Sequence, residues 1–294
     1  MKIAIVQLGS FGDNINSTLM IAPIKAKYPD SKLTIHTASK YESAFWRCPG
    51  VDEIIKHHAD TKDATFNLYN TVPALVKSMG YDLVMVPAPI LHPGEWSSLK
   101  HPELGTNLIL SFVRDLERHD ISYELPLKTV LRLTPQEYLK AQEFCKHLPP
   151  NRRNVLMEVH AESGQTFWNA NWTIEVGKHL LKKPTNLLIS RAFSGHDVTA
   201  LQNSCPPHSS VYCLHGHSLR ECAEIFNHCE AFLSVSSGLS NACNTDHCKT
   251  DIDWIETVNS DTVNSAPIRS AKKMFVYKND ISNFIKILRT CTNL

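Results

Sequence analysis

The sequence predicts an α/β protein of two parallel-sheet domains meeting across a cleft, and three observations predict it. Short apolar runs rich in β-branched residues alternate with helical spacings along the chain. The alternation restarts after Pro149-Pro150-Asn151-Arg152-Arg153, which reads as a linker. At 294 residues the chain is long for one domain and comfortable for two. The expected boundaries are 1–150 and 151–294.

The opening stretch organises the first half. Ile3-Ala4-Ile5-Val6 reads as a buried parallel strand, Gly9-Ser10-Phe11-Gly12-Asp13-Asn14 as a tight loop, and Ile15, Leu19, Ala22 and Ala26 as the apolar face of a helix. Ligands of open α/β sheets bind outside the carboxyl ends of the strands, where this loop would lie. Its glycines would let another molecule approach the backbone. Asp13, near a helix start, has two readings: a helix cap, or a general base at a cleft mouth. With Gly9 and Gly12 as its only glycines, the loop lacks a dinucleotide fingerprint.

The later elements come in order. Strands are expected at Leu33–His36, Val51–Ile55 and Asp82–Val86, with helices at Lys40–Trp46, Val72–Met79 and Leu108–Arg118. Pro87, Pro89 and Pro93 impose an irregular loop that carries Trp96. Pro135–His147 reads as a helix begun by proline. The second half has strands at Val155–Val159, Asn186–Ser190, Val211–Leu214 and Ala231–Val235, and helices at Ile174–Leu181, Val198–Gln202 and Leu219–Phe226. A last helix, Ile281–Leu288, is a candidate to pack back on the first domain.

Composition excludes several classes. Apolar residues are 43% and charged residues 20%, as in ordinary globular proteins. A net charge of +1 argues against nucleic acid as a partner. No apolar run reaches a membrane span, and the N-terminus reads as a core strand rather than a signal peptide. Nine cysteines without CxxC pairs read as reduced, mostly buried thiols of a cytosolic protein. Cys243, His247 and Cys248 form a metal candidate, opposed by the lack of a second ligand pair, so no metal is expected. His57-His58 and His215-Gly216-His217 read as loop and surface residues.

Two further loops suit a ligand. Ser236-Ser237-Gly238-Leu239 comes after the strand Ala231–Val235 and opens a helix, so its N–H groups and hydroxyls could hold a diphosphate, or Ser236 or Ser237 could simply cap the helix. His160–Thr166 comes after the first strand of the second half and offers Gln165 and Thr166 as donors. Trp168 and Trp172 beyond it read as core.

Taken in order, these segments resemble glycosyltransferase family 9, the ADP-heptose:lipopolysaccharide heptosyltransferases. Lys2–Ile15 is similar to that family's opening strand and L-S-S-L-G-D-V-I loop. Tyr28-Pro29-Asp30, Cys48–Ile55, His215–Glu221 and Ser237-Gly238-Leu239-Ser240-Asn241 look like its later motifs. The resemblance implies a GT-B fold of two Rossmann-like domains, with acceptor on the first and nucleotide sugar on the second. It implies inverting, metal-independent transfer without a cofactor, with Asp13 as the base; Ser10, Gly12 and Trp96, in loops expected at the sheet's carboxyl ends, are the candidates on the acceptor side. Gln165, Thr166, Ser237, Gly238 and Leu239 match donor-phosphate positions, and Ser236 beside them is a further donor-phosphate candidate. The sequence departs from the family in three places: Ala170 stands where a lysine is usual, Ser236 where an aspartate is, and Asn241 where a histidine is. Arg191 is the candidate replacement cation for the leaving group.

The expected function is therefore transfer of a heptose or other sugar from a nucleotide-diphosphate sugar to a surface-glycan or lipopolysaccharide acceptor. The expected place is the cytoplasm, with peripheral contact at the inner membrane. Lys100, Arg114 and Arg118 are candidate contacts for an anionic acceptor, against the plainer reading of solvated surface charges. The alternative is a catalytically degenerate nucleotide-sugar or glycan-binding protein. A nicotinamide dehydrogenase is disfavoured by the missing glycine and by His36 where strand two would need an acid.

Overall fold

The structure is a computed structural model that describes residues 1–58, 62–87, 107–161, 168–190, 195–257, 273–276 and 281–290. They fall into two compact units that divide between Thr134 and Pro135. Trp96, Lys100, Gln165, Thr166 and Arg191 lie outside the described residues.

The first unit is built on a parallel sheet in the order β3-β2-β1-β4. Its strands are β1 (Lys2–Gln7), β2 (Lys32–Ala38), β3 (Glu53–His57) and β4 (Leu83–Met85). After Lys2 every β1 residue is buried, because helices cover both faces of a parallel sheet. Ile3 pairs with Leu33 on one side and Leu83 on the other, so β1 is central. Ala4, Val6 and Leu8 form one face and pack with Val72 and Val76 of α3 (Lys62–Ser78).

The opening helix departs from its expected phase. α1 (Phe11–Ser17) gives way to a 3₁₀ turn, Thr18–Met20, before α2 (Ile21–Lys27). Three residues per turn there, instead of 3.6, rotate the apolar face of α2 relative to that of α1. Ile21 and Ile24 are buried, while Ala22 and Ala26 face solvent. α3 begins ten residues before Val72 and runs through Pro73, a residue that normally marks a helix start. β2 continues past His36 to Ala38 and carries no acid at its end. His36 is buried, with Nδ1 3.0 Å from His57 Nε2 and Nε2 3.0 Å from the Tyr81 hydroxyl. Burial first, then His57, pushes its pKa down to about 4. His57 therefore closes a strand against a buried partner and is not a loop residue.

α4 (Asn107–Arg118) is strongly amphipathic and buries Ile109, Phe112, Val113 and Leu116. It also buries Arg114, whose Nη2 is 3.3 Å from Asp115 Oδ1. That pairing takes Arg114 away from the surface role in acceptor binding foreseen for it.

The second unit opens with α5 (Pro135–Lys146), so this helix does not close the first half. The proposed linker is fixed inside this unit: Asn186 Nδ2 donates to the Pro149 carbonyl, and Arg153 begins a strand. The parallel sheet runs β10-β9-β8-β5-β6-β7. Its strands are β5 (Arg153–Met157), β6 (Thr185–Ile189), β7 (Ser210–Cys213), β8 (Ala231–Val235), β9 (Asp253–Thr257) and β10 (Lys273–Val276). The helices are α6 (Ala170–Leu180), α7 (Gly195–Asn203), α8 (Leu219–Phe226), α9 (Gly238–Cys243) and α10 (Ile281–Thr290).

Val155, Met157, Leu187, Ile189, Leu233 and Ile255 pack with Trp168, Trp172, Val176 and Leu180. Phe284 of α10 joins this core, 5.4 Å from the Trp168 ring and 5.5 Å from the Trp172 ring. The last helix thus finds its apolar partner in its own unit. Gly177 is needed where α6 crosses α7, since a Cβ there would lie 2.7 Å from Leu201. On the opposite sheet face Phe232 meets Phe226 edge-on and Trp254 at a tilt, with ring centroids 5.3 Å and 5.1 Å away. Among the described residues no helix is long and apolar enough to cross a membrane.

Candidate functional site

In each unit the strand order reverses at one place, between β1 and β4 and between β5 and β8. Ligands of open α/β sheets sit outside the carboxyl ends of the strands at such switch points. Asp13 lies in the first turn of α1, just past the short loop after β1, and Ser236 and Ser237 join β8 to Gly238 at the start of α9.

In the first loop Asp13 Oδ2 accepts from the Ser10 N–H at 2.7 Å and the Ser10 hydroxyl at 2.9 Å. This is the reach-back arm of a capping box, so the capping role is real. It uses one carboxylate oxygen; Oδ1 makes no hydrogen bond among the described residues. Burial raises the Asp13 pKa by more than the Ser10 hydrogen bonds lower it. The residue is thus a cap through one oxygen, and its carboxyl group holds a proton more tightly than an ordinary aspartate.

Asn14 fixes the loop to the sheet. Its amide donates to the Gly9 and Ser10 carbonyls at 2.8 Å each and accepts from Thr37 on β2 at 2.7 Å. Gly9 is required by the chain itself. A Cβ on it would fall 2.4 Å from Asp13 Oδ2, so any side chain there would displace the carboxylate. Gly12 is buried in the first turn of α1, and Ser10 is exposed with its hydroxyl on Asp13.

In the second loop Ser237 caps α9. Its hydroxyl accepts from Leu239 N–H at 3.1 Å and Ser240 N–H at 3.2 Å, and it donates to Glu158. The donors foreseen at Ser237 and Leu239 are therefore already paired with each other. Ser236 Oγ and the Gly238 N–H make no hydrogen bond among the described residues. Asn241, where the resembled family has histidine, donates to the Ser237 carbonyl at 2.8 Å.

Glu158 is the residue that sequence reasoning missed. It comes directly after β5, is 1% exposed, and lies beside Ser234, because Met157 pairs with Leu233. The signal was present: an acid closing the apolar run Val155-Leu156-Met157 is rare unless it has a partner. The loop that lacks the family aspartate at Ser236 thus receives a carboxyl group from the neighbouring strand. Ser237→Ala removes a helix cap and the hydroxyl that Glu158 accepts from. It is expected to cost about 2–3 kcal/mol, whereas Ser236→Ala, at a buried residue whose hydroxyl makes no hydrogen bond among the described residues, should cost about 1 kcal/mol or less. Chemical denaturation of the two variants checks the contrast.

Ala170 is the first residue of α6, behind the cap Asn169, whose side chain accepts from the Trp172 N–H at 3.0 Å. The supposed metal set is otherwise engaged. His247 Nε2 is 2.7 Å from Glu224 Oε2, and Cys248 Sγ lies 3.4 Å from the Ala223 carbonyl and 3.5 Å from the Ala242 carbonyl, which share its one proton. No cluster of three or more metal-ligating side chains occurs among the described residues.

No family model and no curated protein matches the sequence. Solved structures do match its fold. A family 9 glycosyltransferase from Veillonella parvula superposes with a TM-score of 0.70 at 13% identity, covering 98% of this chain and 89% of the other. ADP-heptose LPS heptosyltransferase II of E. coli gives 0.61 at 14% identity, covering 98% of each chain. The E. coli heptosyltransferase WaaC, solved with ADP, gives 0.58 at 14% identity over 100% of both. At this level of identity the likeness is one of fold: the chain carries the two-domain α/β fold of the family 9 glycosyltransferases.

Proposed function

We propose that the protein is an inverting, metal-independent glycosyltransferase that moves a sugar from a nucleotide-diphosphate donor to a glycan acceptor. The observation that carries this reading is Asp13: a carboxylate of raised basicity, at a switch point, with one oxygen unbonded among the described residues. The fold shared with heptosyltransferases, one of them solved with ADP, supports a nucleotide sugar as the donor.

In the proposed reaction the acceptor hydroxyl gives its proton to Asp13 Oδ1 as its oxygen attacks the anomeric carbon. A new carbon–oxygen bond forms while the bond from that carbon to the donor phosphate breaks. The electron pair leaves on the nucleoside diphosphate, and attack from the opposite face inverts the anomeric centre. Ser236 Oγ and Gly238 N–H are the proposed first contacts of the diphosphate, and Gln165, Thr166 and Arg191 are proposed to complete its site. Ser10, Gly12 and Trp96 are assigned to the acceptor side. The proposed setting is the cytoplasm, with peripheral contact at the membrane when the acceptor is lipid-linked.

A second reading is a nucleotide-sugar-binding protein without turnover. It is favoured by Ala170 and Ser236, and by the two N–H groups of α9 that Ser237 already occupies. A thermal-shift screen against nucleotide diphosphates and nucleotide sugars, then product analysis with the binding donor, separates the two. A ligand at 100 times its Kd stabilises the native state by about 2.7 kcal/mol. Binding with transfer or donor hydrolysis supports the enzyme, binding without either supports the second reading, and no binding removes both.

A further inference from the structure

The Tyr69 side chain on α3 reaches the loop that holds Asp13. Its hydroxyl donates to Gln7 Oε1 at 2.7 Å, and the same oxygen accepts the Gly9 N–H at 3.0 Å. Gln7 is 1% exposed, so its amide has no competing water. Gly9 in turn is the residue against which the Asp13 carboxylate is packed. A continuous path therefore runs from Tyr69 through Gln7 and Gly9 to Asp13. We propose that Tyr69, acting through Gln7, is a positioning residue for Asp13, holding the Gly9 turn against its carboxylate and keeping water from its buried side.

This inference rests on Asp13 being the base proposed above. The surroundings support it. Burial, and secondarily the charge of Asp13, raise the Tyr69 pKa, so the phenol stays neutral and keeps its donor proton. Around α1, the 3₁₀ turn Ser39–Phe45 carries Lys40, Tyr41 and Glu42, and α4 carries Arg114, Asp115 and Arg118. None of these bonds Asp13; among the described residues its carboxylate is bonded by Ser10 alone. Glu42 pairs with Lys56 and Arg114 with Asp115. The local basicity of Asp13 is thus set by exclusion of water and by the loop, which Tyr69 anchors.

The test is Tyr69→Phe, which keeps the ring and removes the hydroxyl, beside Gln7→Leu and Gln7→Glu. With the donor found by the screen, Tyr69→Phe and Gln7→Leu are expected to lower kcat about tenfold, the scale of a misaimed group. KM should stay within about twofold. Water reaching the carboxylate would lower its pKa, so the acid limb of the kcat profile should move to lower pH. Gln7→Glu keeps the acceptor oxygen and should recover most of the rate. Wild-type kcat and an unmoved acid limb in Tyr69→Phe, with or without a lower melting temperature, would overturn the inference. If Asp13→Asn is inactive in that case, the inference fails alone; if Asp13→Asn is also fully active, the assigned base fails with it.

Discussion

Asp13→Asn is expected to lower sugar transfer by about 10²–10⁴-fold, the usual contribution of a positioned base. Asparagine has nearly the same shape, and its carbonyl can still accept from the Ser10 N–H and hydroxyl that bond Oδ2 here. The loop should therefore hold while the proton acceptor disappears. The pH profile carries a second signature. The Asp13 pKa lies above its ordinary value, chiefly through burial. Wild-type transfer should fall as the pH drops through that raised pKa, and Asp13→Asn should lack this limb.

The stability effect runs the other way. An acid whose pKa is raised on folding favours the native state most while it is protonated, below its unfolded value. That contribution is lost as the pH rises through the raised value. Above that value the ionised Asp13 is thus a cost to the fold, and there Asp13→Asn should melt at the same temperature as the wild type or higher. Loss of transfer with an unchanged or raised Tm identifies a catalytic acid–base group. Loss of both would identify a cap.

Arg220→Met is expected to destabilise the second unit by about 3–5 kcal/mol, the scale for breaking one side of a buried ion pair. The Arg220 side chain is 2% exposed, with Nε 2.7 Å from Glu137 Oε1 and Nη2 2.9 Å from Glu137 Oε2. This bidentate pair ties α5 to α8, and Lys140 to Glu221 and Gln142 to Glu224 extend the seam. Removing the guanidinium leaves the Glu137 carboxylate, 12% exposed, without that partner. The double variant Arg220→Met with Glu137→Met should recover most of the loss, because two apolar chains of similar volume need no pairing. Calorimetry that resolves the two units would show the shift in the second transition. An equal loss in single and double variants would assign the stability to packing of the Arg220 stem rather than to the pair.

The alternation of apolar runs and helical spacings was enough to read two parallel-sheet units, since a parallel strand must be apolar on both faces whatever surrounds it. Leu219–Phe226 and Ala231–Val235 begin and end where their residue types say they should. β9 and β10 were not read, nor was the first half of α3 before Pro73. Proline at a helix start and proline within one leave the same mark in a sequence, and the packing of Val72 and Val76 against β1 decides between them. Tyr69 was invisible as a site residue for that reason: it lies on the part of the helix that the proline concealed.

The sequence by itself determined the fold class, the loop that carries Asp13 and the loop that carries Ser237. These depend on local residue types: apolar strands, small turn residues and polar caps. Only the tertiary structure decided which hydrogen bonds those loops have left to give. Ser237 meets Glu158 across 79 residues, and Tyr69 meets Gln7 across 62. Such partners are set by strand order and by which face of the sheet a helix covers. A hydroxyl that looks like a ligand donor in the sequence becomes a structural cap when a buried carboxyl group at the end of the adjacent strand accepts its hydrogen bond.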